Sequence, residues 1–200
     1  YVPFNQKKIF DGNSKFNVSV IPTGNWRGMV MRTDVAPFDD PRVRKAVRIA
    51  VDRQELVDLV MAGAATVSCD TPVAPSDQYR MEKNCPPQPA TAKKLLKEAG
   101  YPDGIDMTIH VSTKEPTWPT IAEVLQQQFA KANIRADIQM TPSKSYWNET
   151  WMKKAVAMTR WNERPADSIL HEAYHSEAKW NESFYKSASF DKNLAEARGE

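Results

Sequence analysis

A hydrophobic pattern that switches between the strand period and the helix period limits the possible folds more than any other feature of this sequence. Apolar residues alternate at 105–111 and at 136–140, and an apolar run occupies 155–158. Between these segments, residues 117–132 and 143–151 carry apolar side chains at helical spacing. Strands separated by helices of this length require right-handed parallel crossovers, so the pattern predicts an α/β structure with a β-α-β-α-β centre.

Further strands and helices are predicted on both sides of this centre. Residues 15–21 alternate and residues 26–32 are apolar, which favours two strands joined by a turn. Capping residues followed by apolar residues at helical spacing predict helices at 41–51 and 52–63. Shorter helices are predicted at 90–99, 166–175 and 190–198. In the strand at 105–111, the alternation places His110 on the solvent-facing side.

A long loop is predicted at residues 64–89, which contain five prolines and no sustained period. The only two cysteines of the chain, Cys69 and Cys85, lie in this loop. If they are bonded, they close a loop of about 17 residues and indicate an oxidising compartment. Two free thiols in a reducing compartment are the alternative. We expect the disulfide, because a loop of this composition needs a crosslink to hold it in place.

Composition and motifs argue against several functional classes. A formal net charge of +2 indicates neither a nucleic-acid surface nor an acidic tail, and no apolar run reaches the length of a membrane span. The sequence has no glycine-rich phosphate loop, no G-x-S-x-G and no C-x-x-C, and three histidines leave little capacity for acid–base catalysis. Six Trp, six Tyr and seven Phe are instead suited to the wall of a ligand site.

One motif supports a competing hypothesis. Residues 171–175 match the H-E-x-x-H pattern of zinc peptidases, in which His171 and His175 would share a helix face and Glu172 would act as the base. A third zinc ligand would have to come from Glu196 or Asp191. Because the flanking residues do not continue into a fuller zincin signature, a zinc metallopeptidase remains the alternative function rather than the first one.

Four stretches of the sequence carry a resemblance to a known family. They are residues 36–53 (APFDDPRVRKAVRIAVDR), 92–102 (AKKLLKEAGYP), 146–147 (YW) and 161–165 (WNERP). Their residues and their order resemble those of the family 5 extracellular solute-binding proteins, which bind peptides, opines or nickel. The end of the chain, with WNE at 180–182 and FD at 190–191, is similar to a subgroup associated with peptides.

The resemblance implies a type II periplasmic-binding-protein lobe, with a mixed sheet flanked by helices. Relatives have two lobes, so residues 1–200 are expected to form the second lobe only, with the first lobe of the same protein missing. The implied function is to bind a peptide or opine-like solute in a cleft between the lobes, without enzymatic activity or a cofactor, and to deliver it to the membrane subunits of an ABC importer. The implied location is periplasmic, or extracytoplasmic with a lipid anchor. A nickel or haem carrier, and a module that only docks on the importer, remain alternatives.

The resemblance also implies a set of ligand-binding residues. In relatives, the strand that leads to the Trp of the WNERP stretch supplies backbone groups to the peptide, an acid just beyond that Trp holds the peptide amine, and a second Trp faces the ligand. Matched to this sequence, the implied residues are Arg160, Trp161, Asn162, Glu163, Trp147 and Asp70.

Four of these residues, and Arg27 near them, also have a purely structural interpretation. Trp161 at the end of a central strand suits a core, and Trp147 shares its predicted helix with two other aromatic residues. Glu163 has Arg164 beside it as an ion-pair partner, and Asp70 precedes a Thr-Pro turn. Arg27 at the start of a strand is suited to a ligand carboxylate or to solvent.

Overall fold

The computed structural model describes residues 7–10, 13–19, 21 and 23–199 of the chain. The helices are α1 (Lys7–Phe10), α2 (Pro41–Ile49), α3 (Arg53–Met61), α4 (Pro89–Glu98), α5 (Trp118–Ala130), α6 (Ser143–Ser145), α7 (Ala166–Tyr174) and α8 (Ala188–Arg198), and a π-helical turn covers Tyr146–Thr150. The strands are β1 (Trp26–Met31), β2 (Ile105–Ser112), β3 (Ile134–Thr141) and β4 (Val156–Trp161). Within the described ranges, no helix combines the length and the apolar character needed to cross a lipid bilayer.

The four strands form one mixed sheet in the order β1-β4-β2-β3. Strand β2 runs parallel to both β3 and β4, whereas β1 runs antiparallel to β4. Helix α5 connects β2 to β3, and α6 with the π-helical turn connects β3 to β4. The predicted β-α-β-α-β centre and the predicted mixed sheet with flanking helices are therefore confirmed.

The main hydrophobic core lies between one face of the sheet and the helices α2, α4 and α5. Its largest fully buried side chains include Trp118, Phe38, Phe129, Leu96, Ile109 and Ile134. Burying a side chain of this size contributes about 1.5–3 kcal/mol. Helix α2 is positioned for this contact because Asp40 caps its first turn, by accepting a hydrogen bond from the Arg42 amide, and Pro41 occupies the first helical position.

Tyr146 joins two strands of the sheet from within this core. Its hydroxyl group donates to the Met158 carbonyl at 2.6 Å and lies 3.2 Å from the His110 carbonyl. The side chain is fully buried, and burial raises the pKa of the phenol. The predicted helix at 143–151 is thus present only as the short α6 followed by the π-helical turn that carries Tyr146.

The strand predicted at residues 15–21 is wrong. Residues 13–19 and 21 have no strand structure, while Val20 lies outside the described residues. The ring of Phe16 is 54% exposed and makes an edge contact with Phe10, 5.2 Å between ring centroids. An alternating pattern forms a strand only when a partner strand pairs with it, and the described residues 15–19 and 21 have no such partner.

His110 is half-buried, which also differs from the prediction of a solvent-facing side chain. Strand β4 lies beside it, with His110 paired to Ala157, so the end of β2 is covered although its start is not. Burial lowers the pKa of His110 below its ordinary value of 6.5, and the nearby charge of Lys154 lowers it further.

The pKa of His110 predicts a pH dependence of stability. Because the folded-state pKa is below the unfolded-state value, the unfolded chain binds more protons on acidification, so the free energy of unfolding falls as the pH is lowered from about 7 to about 5. We expect His110→Gln to make this decline shallower, measured by urea unfolding across that range. His171→Gln, at an exposed histidine of α7, is the matched control. Equal slopes in wild type and H110Q would contradict the prediction.

Residues 64–88 contain no helix or strand, and a disulfide joins Cys69 to Cys85, as predicted. The loop that this bond closes is held from inside by Arg80, whose guanidinium group donates to the carbonyls of Val73 at 2.6 Å and Ser68 at 3.2 Å. Covalent and hydrogen bonds, rather than regular structure, therefore hold the loop in place.

The same loop also supports the second helical layer. The carboxylate of Asp77 accepts a hydrogen bond from the Ala166 amide at 2.9 Å, in the first turn of α7. Pro165, which precedes α7, provides no side-chain cap of its own. Asp77 thus acts as the capping residue of a helix that lies far from it in the sequence.

Replacing both cysteines by serine (C69S with C85S) should lower the free energy of unfolding by about 3 kcal/mol, because the closed loop restricts the unfolded chain. Denaturant unfolding of wild type and variant measures the difference. Wild-type protein treated with a reducing agent provides the control and should match the variant. A wild-type unfolding curve that does not change on reduction would contradict the prediction.

Candidate functional site

The carboxyl ends of the three parallel strands meet at one edge of the sheet. These ends are Ser112, Thr141 and Trp161, and the first residue of β1, Trp26, pairs with Trp161 at the same edge. Open α/β sheets bind ligands at the carboxyl ends of their parallel strands, because the loops that follow converge there. This edge is therefore the candidate ligand site.

An aromatic cluster surrounds the end of β4. The ring of Trp161 is parallel to that of Trp26, with 6.3 Å between centroids, and Trp180 meets it edge-on at 6.0 Å. Trp161 is only 9% exposed, and Ile169 and Ala173 of α7 pack against it in a second, smaller core on the opposite face from the main one. Trp161 thus has the packing partners of a core residue and lies at the edge where a ligand would bind.

Arg160 and Asn162 flank Trp161 and are both exposed. The Arg160 guanidinium group donates to Glu115, which follows β2, at 2.9 Å between Nε and Oε1. This ion pair connects the ends of β2 and β4 across the candidate site.

Both carboxylate oxygens of Glu163 are engaged within the chain. One accepts from the Gly24 amide at 2.9 Å and the other from the Ser76 hydroxyl at 3.1 Å. The Glu163 amide in turn donates to the side-chain oxygen of Asn25 at 2.8 Å. Glu163 therefore connects three segments at the edge of the site. The structural alternative in which it pairs with Arg164 does not hold, because Arg164 pairs with Glu172 at 3.0 Å.

Gly24 is buried directly against Glu163, which gives a test of this arrangement. A Cβ atom at position 24 would come within 2.6 Å of side-chain carbons of Ala74 and Glu163. We expect Gly24→Ala to displace Glu163 and to lower the free energy of unfolding by about 1–3 kcal/mol, measured by denaturant unfolding. Gly28→Ala is the matched control, because its added carbon meets a Trp26 ring carbon at a milder 3.2 Å. A smaller loss in G24A than in G28A would contradict this view.

Trp147 and Asp70 lie at different places around the site. Trp147 is 37% exposed on the π-helical turn, and its ring makes edge contacts with Tyr146, Trp118 and Trp151 at centroid distances of 5.4, 6.3 and 5.6 Å. Asp70 accepts two hydrogen bonds of 2.7 Å from Arg53 of α3, which neutralise its charge and hold the loop against that helix.

A cavity of about 180 Å³ opens beside Trp161. Strand β1, residues 68 and 70–72 of the loop, α7 and residues 182–183 surround it, and the rings of Trp26, Trp161 and Tyr174 line it. Of the six residues that the sequence assigned to the site, Trp161 and Asp70 line this cavity; Trp147, Arg160, Asn162 and Glu163 do not.

Glu182 also lines the cavity, and sequence reasoning missed it. Its side chain is 8% exposed and accepts hydrogen bonds from the Trp151 indole at 2.6 Å and the Thr159 hydroxyl at 2.7 Å. Burial raises the pKa of Glu182, while the hydrogen bonds from Thr159, Trp151 and Trp161 act in the opposite direction. Residues 176–187 have no helix or strand, so no periodic signal in the sequence marks Glu182 as buried.

The H-E-x-x-H residues do not form a metal site. Helix α7 ends at Tyr174, so His175 lies outside it, and the ion pair with Arg164 engages Glu172. The His171 and His175 rings stack with 5.2 Å between centroids, and Asp191 is 3.9 Å from His175. Among the described residues, no group of three or more His, Cys, Asp or Glu side chains is arranged to hold a metal ion. The zinc peptidase hypothesis is therefore not favoured.

Known proteins are similar to this chain in sequence and in fold. Residues 1–181 match the family described as bacterial extracellular solute-binding proteins, family 5 Middle. The chain is 32% identical over 209 residues to the glutathione-binding protein GsiB of Salmonella choleraesuis, covering 98% of this chain and 41% of that relative. It is 34% identical over 138 residues to GsiB of Escherichia coli K12, covering 68% of this chain and 27% of that relative.

Solved structures of binding proteins have a fold similar to that of this chain. The periplasmic binding protein DppA of Helicobacter pylori, in complex with the peptide STSA, is similar with a TM-score of 0.83 and 25% identity over 97% of this chain and 39% of DppA. The oligopeptide-binding protein AppA of Bacillus subtilis, in complex with a nonapeptide, has the same fold, with a TM-score of 0.83 and 21% identity over 100% of this chain and 44% of AppA. The chain thus spans less than half the length of these relatives.

Proposed function

The chain belongs to family 5 of the bacterial extracellular solute-binding proteins, and we propose that it forms one wall of a cleft that binds a peptide or peptide-like solute. Members of this family are substrate-binding proteins, which capture a solute and do not transform it. The opposite wall of the cleft would come from the remainder of a longer polypeptide, since the chain covers 41% of its relative GsiB.

The observation that carries this proposal is the backbone of β4 at the candidate edge. Strand β1 pairs with all of β4 on one side. On the other side, β4 runs parallel to β2, and His110 of β2 lies opposite Ala157 of β4. In the same register Ser112, the last residue of β2, lies opposite Thr159. Arg160 and Trp161 therefore extend past the end of β2, and their backbone groups on that side are suited to pair with an extended peptide.

The side chains around this backbone suit a solute of variable sequence. Main-chain hydrogen bonds are shared by all peptides, so they give affinity without selecting side chains. We include Arg160, Trp161, Asn162 and Glu163 in the proposed wall, with Trp147 as an exposed aromatic surface for stacking and Asp70 on the loop beside the cavity. We further propose that the solute is passed to the membrane subunits of an ABC importer, and that the location is periplasmic or extracytoplasmic with a lipid anchor.

Titration of the ¹⁵N-labelled chain with trialanine and with reduced glutathione tests this function by NMR. We expect amide shift changes concentrated at residues 160–163 and at the Trp147 indole, with weak affinity, because the chain provides only one wall of the cleft and therefore few of the contacts. Trp147→Ala should weaken binding by about two- to tenfold through lost aromatic contact.

Leu59→Ala, at an exposed apolar side chain of α3, is the control for this titration and should leave the affinity unchanged. Shift changes confined to residues far from the carboxyl ends of the strands would contradict the proposed site. Tight binding by the chain alone would contradict the proposal that it is one of two walls.

A further inference from the structure

Helices α2 and α4 lie side by side and antiparallel on the outside of the main core. At one end, the Arg42 guanidinium group of α2 donates to the Glu98 carbonyl of α4 at 2.7 Å. At the other end, the Gln88 amide, just before α4, donates to the Ile49 carbonyl of α2 at 2.7 Å. Each helix buries one face in the main core, so the two remaining faces form one outer surface.

This outer surface of residues 41–49 and 89–98, the α2–α4 face, is strongly basic. The two helices contain seven Lys and Arg and a single acid, Glu98, whereas the whole chain has a formal net charge of only +2. The rest of the chain is therefore net negative, and the positive charge is concentrated on these two helices. Six of the basic side chains are exposed, three on each helix: Arg42, Lys45, Arg48, Lys93, Lys94 and Lys97.

The spacing of the six basic residues places each set of three on one side of its helix. Positions 42, 45 and 48 are three residues apart, and position 97 lies three and four residues after 94 and 93, which is the spacing of neighbours on a helix surface. Helices of nine and ten residues are roughly 14–15 Å long, which is about two Debye lengths at physiological ionic strength. A flat anionic surface can therefore contact both sets of charges at once.

Nearby acids neutralise only part of this charge. Lys45, Lys93 and Lys97 have no ion-pair partner in the part of the chain that the structure describes. The other three cations are exposed, and exposed ion pairs contribute little, so these cations stay available to another anion. Their acidic partners within 4.0 Å form the pairs Arg42–Asp40, Arg48–Asp70 and Lys94–Glu98.

The residue types on the α2–α4 face suit lipid headgroups better than a protein surface. Protein interfaces are depleted of Lys and enriched in aromatic side chains, whereas four of the six exposed cations here are Lys. Both helices lie wholly within the described residues, and neither exposes a large apolar side chain. Clusters of about four to eight Lys and Arg bind anionic membranes through charge alone.

Contact through the α2–α4 face would leave the candidate ligand site open. The cavity beside Trp161 is lined by α7, which packs against the opposite face of the sheet from α2 and α4. A surface that covers the two basic helices therefore does not cover the cavity.

We propose that the α2–α4 face binds the anionic phospholipid surface of a membrane by electrostatic attraction, with the cavity turned away from the bilayer. This inference goes beyond the proposed function, because the contact requires no bound solute. Membrane binding and solute binding are measured separately, so either can fail without the other.

Co-sedimentation with sucrose-loaded vesicles tests the inference. At low ionic strength we expect the chain to sediment with vesicles of equal parts phosphatidylglycerol and phosphatidylcholine, and to stay in solution with phosphatidylcholine alone. Raising the salt to physiological ionic strength should weaken the binding several-fold, because exposed charges are screened. The triple variant K45E, K93E and K97E should bind the anionic vesicles about tenfold or more weakly than wild type.

The matched control is the triple variant K131E, K144E and K179E. It changes the net charge by the same amount at exposed lysines outside the α2–α4 face, and it should keep most of the wild-type binding. If wild type does not sediment with the anionic vesicles, or if the two glutamate variants bind them equally, the inference is overturned.

A further variant covers the case in which the first one does not fold, as judged by circular dichroism. K45Q with K93Q and K97Q removes the positive charges without adding negative ones, and it should weaken vesicle binding several-fold; unchanged binding would contradict the inference. Wild-type binding to poly-L-glutamate without binding to vesicles would indicate an acidic protein in place of a membrane and would also overturn it.

Discussion

The pairing of β1 with β4 is the contact on which the rest of the candidate site depends. The six residues of β1 are in register with the six of β4, although the two strands are separated by most of the chain. This pairing brings Gly24 to Glu163 and stacks Trp26 on Trp161. Closing so long a stretch of chain costs conformational entropy, which the strand pairing and the burial of aromatic surface must offset. The geometry of the edge is therefore a property of the whole fold and not of the local WNERP motif.

Two glutamates near Trp161, Glu163 and Glu182, differ in their burial. Glu163 lies at the surface, and its carboxylate is used to hold Gly24 and Ser76 in place. Glu182 is buried and accepts hydrogen bonds from the neutral side chains of Trp151 and Thr159. Burial raises the pKa of Glu182, whereas the exposed side chain of Glu163 stays in contact with solvent.

Local patterns predicted the centre of the fold well, because alternation and helical spacing report which side chains face a core. The cap at Asp40 and the alternation along β2 are examples in which the residues alone contain the information. The same reasoning failed at residues 15–21, where a strand-like pattern has no partner strand, and at His110, where the neighbouring β4 covers a face that the alternation leaves open. The cavity and Glu182 could not be predicted, since five segments that are distant in the sequence meet there and two of them have no regular structure. Trp161 was assigned to the candidate site through the family resemblance, because its position at the end of a central strand suits a core residue equally well.

The hydrogen bond between Asp77 and the first turn of α7 connects the disulfide-closed loop to a helix that lines the cavity. The crosslinked loop contributes residues 70–72 to one wall, and α7, which it caps, contributes Tyr174 to another. Both walls are thus held by a segment that has no regular structure and that a disulfide and the hydrogen bonds of Arg80 keep in place. A change in the position of this loop would therefore move two walls of the cavity together.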